Sequence, residues 1–61
     1  MSQYSIKELC GCVRREIGQR KRVYRRLVKE QKMEPGEALE ETRMMEAVLE
    51  NLEEQEQARL F

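Results

Sequence analysis

The chain has 61 residues, 12 basic and 12 acidic side chains, and a formal net charge of zero. A chain this short forms one domain with a small core, so a disulfide, a metal or association usually has to supplement that core. No His, Asp or Trp is present, which removes the commonest general bases and every nucleophile that needs a His partner. We therefore expect a single domain that is not an enzyme and uses no cofactor.

The hydropathy of the chain argues against a membrane protein. No apolar run approaches the roughly 18 residues that a membrane span needs. The first residues also lack the apolar stretch of a signal peptide. We expect a cytoplasmic protein that makes no membrane contact.

The first helix is predicted over residues 5–32. Ser5 followed by Glu8 fits a capping box, and Tyr4 and Leu9 are spaced to form a hydrophobic staple. Apolar residues then recur at three- and four-residue spacings, which is the period of an amphipathic helix. This stripe consists of Ile6, Leu9, Cys10, Val13, Ile17, Tyr24, Leu27 and Val28.

A turn is predicted over residues 33–35 and a second helix over residues 35–56. Pro35 disfavours helical geometry in the residue before it and suits the first position of a helix. The apolar stripe of this helix consists of Ala38, Thr42, Met45, Leu49 and Leu52, and Met44 and Val48 widen it. The polar run after Leu52 is predicted to fray.

The short connection between the helices favours antiparallel neighbours. We therefore predict an all-α fold, a two-helix antiparallel hairpin forming one domain over residues 1–61. Met44 and Val48 extend the second stripe beyond what one facing helix would cover, and uncovered apolar surface usually marks an interface. A homodimer is therefore expected, most simply a two-fold four-helix bundle.

A spaced pattern over roughly residues 12–52 resembles a family of very short, mostly uncharacterised bacteriophage and prophage accessory proteins. The pattern consists of Val23-Tyr24, Val28, Lys32-Met33, Ala38, Glu41, Met45 and Ala47-Val48. Arg25 stands where that family often has Pro, and Gln31 stands where it often has Gly, the usual left-handed residue after a helix. The resemblance implies a small protein in the host cytoplasm that modulates or inhibits a host protein by contact.

Polar residues interrupt the apolar face of the first helix. Glu16, Arg20 and Tyr24 follow one another at four-residue steps, and Arg20 falls near the middle of the face assigned to the core. A buried guanidinium needs a carboxylate, which Glu16 can supply, while Glu41 is expected to reach the Tyr24 hydroxyl. We call Glu16, Arg20, Tyr24 and Glu41 the polar seam. It either fixes the register of the helices or meets a partner.

Charge is divided sharply along the chain. Residues 1–32 hold ten basic and three acidic side chains, and residues 33–61 hold nine acidic and two basic ones. The basic face of the first helix consists of Lys7, Arg14, Arg15, Lys21, Arg22, Arg25, Arg26, Lys29 and Lys32. Three interpretations stay open: a solvated or ion-paired face, a site for an acidic protein, and a nucleic-acid site.

The predicted partner-binding residues are drawn from these features. They are Arg14, Arg15, Arg20, Arg22, Tyr24, Arg25, Arg26, Met44 and Val48. The function they predict is that of a small protein-binding accessory protein, and the alternative is a nucleic-acid-associated regulator that uses the basic face. No metal site is expected, because Cys10 and Cys12 supply two ligands where structural zinc takes four.

Two glycines lie on the outer side of the first helix. Gly11 and Gly18 are seven residues apart, and each weakens a helix by about 1 kcal/mol relative to Ala. They either mark tolerated weak spots or allow another backbone to approach closely.

Overall fold

The computed structural model describes residues 3–59. Two helices, α1 (Ile6–Lys29) and α2 (Pro35–Arg59), pack against each other as a hairpin about 46 Å long and 18 Å wide. No strand occurs among the described residues. The predicted all-α hairpin is therefore confirmed for a single copy of the chain.

The start of α1 is the predicted one. The Ser5 side chain accepts a hydrogen bond from the Glu8 backbone N–H, and the Glu8 carboxylate accepts one from the Ser5 backbone N–H, both at 3.1 Å. Hydrogen bonding of the Glu8 carboxylate to the Ser5 backbone N–H, and then to the Ser5 side chain, lowers the pKa of the Glu8 carboxyl. Tyr4 and Leu9, the predicted staple pair, line the same surface pocket.

The end of α1 differs from the prediction, because the helix stops at Lys29 and not at residue 32. Gln31 has a φ of 61°, the left-handed conformation that usually requires Gly. Its N–H donates to the Val28 carbonyl at 3.0 Å, and the Lys32 N–H donates to the Leu27 carbonyl at 2.8 Å. These two bonds form a complete Schellman motif. The turn therefore occupies residues 30–34.

The second helix begins at Pro35 as predicted, and the Ala38 N–H donates to the Glu34 carbonyl at 3.0 Å. It continues to Arg59, three residues beyond the predicted end. Glu53 and Glu56 are half-buried against α1, Glu53 in an ion pair with Arg14 and Glu56 beside the Cys10 thiol. The polar run thus has partners in the facing helix, which periodicity within one helix cannot reveal.

The core between the helices is thin. Among the described residues only Cys10 and Ile17 are buried. The other residues of the two predicted stripes are half-buried, while Met44 and Val48 are exposed. The chain exposes 5329 Å², whereas a compact monomer of its 7.3 kDa mass exposes about 4,200 Å².

Candidate interaction surface

Two ion pairs between the helices define one side of the hairpin, which we call the paired side. Arg14 Nη2 lies 2.6 Å from Glu53 Oε2, and Lys21 Nζ lies 3.4 Å from Glu46 Oε2. The basic and acidic halves of the chain therefore neutralise each other in part along this side.

The opposite side carries large apolar side chains without cover, and we call it the open side. Val23, Met44 and Val48 are 40%, 49% and 47% exposed. Val23 lies two residues from Lys21, and Met44 and Val48 each lie two residues from Glu46, so each is about 160° around its helix from an ion-paired residue. Exposure of Met44 and Val48 in the single chain is what the width of the second stripe predicts.

The polar seam forms, but at the surface. Arg20 Nε lies 3.7 Å from Glu16 Oε2, and Arg20 Nη1 donates to the Tyr24 hydroxyl at 3.4 Å. The bond to Tyr24 and the charges of Glu16 and Glu41 raise the pKa of the Arg20 guanidinium. The charge of Glu41 therefore stabilises the Arg20 guanidinium. The Tyr24 hydroxyl accepts its hydrogen bond from Arg20, whereas the sequence predicts a contact with Glu41.

The predicted position of Arg20 in the middle of the core is wrong for the single chain. Its side chain is 45% exposed. The contact with α2 is centred on Cys10 and Ile17, and Arg20 lies about 60° around the helix from Ile17. The apolar face of α1 is wider than the strip that one neighbouring helix covers, so Arg20 falls on the uncovered half.

The basic face is used only in part by the fold. Arg14 and Lys21 pair with α2, and Lys32 pairs with Glu30 in the turn. The remaining members are exposed and form no ion pair with any described residue: Lys7, Arg15, Arg22, Arg25, Arg26 and Lys29. They leave a net positive strip on α1.

The cysteines lie on opposite sides of α1. Cys10 is fully buried, and Cys12 is exposed. Burial, and then the negative charge of Glu56, raises the pKa of the Cys10 thiol. Among the residues that the structure describes, no group of three potential metal ligands occurs.

A groove lies on the paired side, next to the turn. We call it the turn groove. It is shallow and open, with a volume of about 340 Å³, and it is lined by Lys21, Tyr24, Arg25, Val28, Pro35, Ala38, Leu39 and Thr42. Leu39 is 52% exposed. Sequence reasoning missed Leu39 and Val23 as surface features because both fall outside the apolar stripes. Their positions outside the stripes could have identified them, because a large apolar residue away from the core-facing stripe is expected at the surface.

Comparison with known proteins leaves the surface itself as the guide to function. No family model, curated protein or solved structure matches this chain. The resemblance to phage accessory proteins therefore stays a prediction. Neither α1 nor α2, within residues 3–59, is long and apolar enough to cross a membrane.

Proposed function

We propose that this chain is a protein-binding module that associates with a second copy through its open side, forming a four-helix bundle, and acts on a further protein by contact. The observation that carries the proposal is the exposure of Met44 and Val48 beside a core in which only two described residues are buried. Exposed apolar surface on so small a fold is typical of an interface.

The surface area supports an interface of ordinary size. The chain exposes 5329 Å², about 1,100 Å² more than a compact monomer of its mass. A standard protein interface buries about 800 Å² on each partner. Covering the open side of each copy with that of the other would bring the exposed area close to the value for a compact protein.

The polar seam suits a two-fold contact. Arg20 already has Glu16 at 3.7 Å and the Tyr24 hydroxyl at 3.4 Å, so it would enter an interface paired. A paired guanidinium avoids the penalty of a lone buried charge. Its specific partners would also favour one register of the two copies over others, as polar residues do in coiled coils.

The dimer is tested with two matched substitutions. Val48→Gln and Leu39→Gln each replace an exposed apolar residue, 47% and 52% exposed, on opposite sides of α2. Sedimentation equilibrium should give twice the 7.3 kDa chain mass for the wild type and for Leu39→Gln. Val48→Gln should shift the mass toward that of one chain. A single-chain mass for the wild type up to millimolar concentration contradicts the proposal.

Arg20→Met separates the two interpretations of the polar seam. If the seam only fixes register, this variant keeps the mass and partner binding of the wild type and melts at a higher temperature, since a buried ion pair is often less stabilising than a well-packed apolar residue. If the seam meets a partner, binding to that partner is lost while the circular dichroism spectrum is unchanged.

The phage resemblance directs the search for the further protein to a host cell. Affinity capture from host lysate should use the wild type and Val48→Gln as matched baits, each with and without nuclease. A host protein retained by the wild type after nuclease treatment, and whose activity the pure chain changes, supports host modulation. Capture that disappears with nuclease points to nucleic acid.

A second candidate function is nucleic-acid binding through the basic face, which the exposed and unpaired Arg15, Arg22 and Arg26 favour. The acidic residues of α2 would oppose it, because they repel phosphate. Gel-shift assays at low and moderate salt test this function. Binding that weakens steeply with salt is the expected signature of phosphate contacts.

A further inference from the structure

The turn groove differs from the open side in both position and chemistry. It lies on the paired side, so association of two copies through the open side leaves it accessible. Four of its lining residues are aliphatic: Val28, Pro35, Ala38 and Leu39. Leu39 is 52% exposed, so this part of the groove is open to a ligand.

Unpaired positive charges lie at or near this groove. Arg25 lines the groove, Lys29 lies one turn further along α1, and Arg43 lies one turn beyond Leu39 on α2. None of these three cations forms an ion pair with a described residue. Lys21 also lines the groove, and its partner Glu46 neutralises it at 3.4 Å.

We propose that the turn groove binds a short acidic amphipathic segment of another protein. One apolar side chain of that segment would occupy the groove against Leu39 and Val28, and its carboxylates would pair with Arg25 and the neighbouring cations. Helices bind grooves in this way through apolar anchors at three- and four-residue spacings. The proposal goes beyond self-association and does not depend on it.

The lining favours a peptide over a nucleic acid. Single-stranded nucleic acid binds through exposed aromatic rings on which bases stack. Among the described residues, the only aromatic ring that lines the groove belongs to Tyr24, which is half-buried and accepts a hydrogen bond from Arg20 at 3.4 Å. The aliphatic side chains suit an apolar anchor residue of a peptide. The nearby cations favour acidic residues beside that anchor.

Binding is tested with a fluorescein-labelled synthetic helix that presents Leu and Glu at three- and four-residue spacings. Control peptides replace every Glu with Lys or the anchoring Leu with Ser. Fluorescence anisotropy should detect the acidic peptide and neither control. Binding of the Lys peptide with equal affinity would overturn the proposal, because the cationic rim would then select nothing.

Matched variants locate the site. Arg25→Gln and Leu39→Gln should each lower the affinity for the acidic peptide by about fivefold or more. Arg26 is a neighbouring exposed cation outside the groove, so Arg26→Gln should leave this affinity unchanged. Arg25→Glu should allow the chain to bind the Lys peptide, which the wild type does not bind. Equal weakening by Arg25→Gln and Arg26→Gln, or displacement by an oligonucleotide of the same charge, would overturn the proposal in favour of a general polyanion surface. Circular dichroism checks that each variant keeps its helices.

Discussion

Arg14 and Glu53 are separated by 39 positions in the chain, yet their side chains meet at 2.6 Å across the hairpin. With Lys21 and Glu46 they form two rungs on one side, each joining a basic residue of α1 to an acidic residue of α2. The sharp charge division of the sequence therefore has a structural use, since it places opposite charges beside each other where the two helices pack.

Exchanging the charges of Arg14 and Glu53 tests how much their ion pair stabilises the hairpin. Arg14→Glu alone should lower the melting temperature, because it places two carboxylates opposite each other, and adding Glu53→Arg should restore it. Both side chains are about half exposed, so the effect should be small and should shrink in high salt. Thermal melts followed by circular dichroism at low and high salt measure it. Equal melting of the single and double variants would show that the pair contributes nothing.

The turn stores a conformational penalty at Gln31. Its φ of 61° is unfavourable for a residue with a Cβ. Gln31→Gly should therefore stabilise the hairpin by about 1 kcal/mol, and Gln31→Val should destabilise it because a β-branched residue tolerates this region least. Urea unfolding of the three proteins gives the order Gly above Gln above Val. Destabilisation by Gly would mean that the side chain of Gln31 makes a compensating contact.

The helices could be predicted because their determinants are local. The capping box of Ser5 and Glu8 lies within one turn, and Pro35 marks the next start by its own ring. The sequence predicts the end of α1 three residues too late, because no Gly marks the left-handed position after the helix. Gln31 takes that conformation because the two closing hydrogen bonds of the Schellman motif, from the N–H groups of residues 31 and 32, require it.

The candidate surface could be predicted only in outline. Periodicity assigns a residue to a helix face, but it does not say which half of that face a single neighbouring helix covers. Periodicity therefore predicts Arg20 in the core, whereas the contact between α1 and α2 is centred on Ile17 and leaves Arg20 exposed. The sequence does not predict the exposed position of Leu39 in the turn groove, because residues of both helices form this groove and no single segment shows it.

The two thiols should differ in reactivity. Cys12 is exposed, while Cys10 is fully buried with a raised pKa, which keeps its reactive thiolate scarce. Cys10→Ala, which retains Cys12, should react with N-ethylmaleimide more than about tenfold faster than Cys12→Ser, which retains Cys10. Mass spectrometry follows both reactions, and unfolding in urea should equalise them. Equal rates in native buffer would contradict the burial of Cys10.

The capping box makes stability depend on pH through Glu8. Its pKa is lowered in the folded chain, chiefly by the Ser5 backbone N–H. The folded state thus holds this proton less tightly, so the stabilisation is present above the unfolded pKa and is lost as pH falls through the folded pKa. The wild type should have a higher melting temperature than Glu8→Gln at neutral pH. The difference between the two melting temperatures should disappear toward about pH 2. A gap independent of pH would show that the hydrogen bond, and not the charge, matters.

Substitutions of Gly18 and Gly11 test whether another backbone packs closely against the outer side of α1. A Cβ built there meets nothing within 4 Å, and one at Gly11 meets only Arg15 Nη1 at 3.7 Å, an ordinary contact with a flexible side chain. Gly18→Ala and Gly11→Ala should each stabilise the chain by about 1 kcal/mol in urea unfolding, because Ala is the better helix former. If either glycine exists to let another backbone approach, its variant will be more stable alone yet lose partner binding. Stabilisation with unchanged binding and unchanged sedimentation mass would identify both as tolerated weak spots.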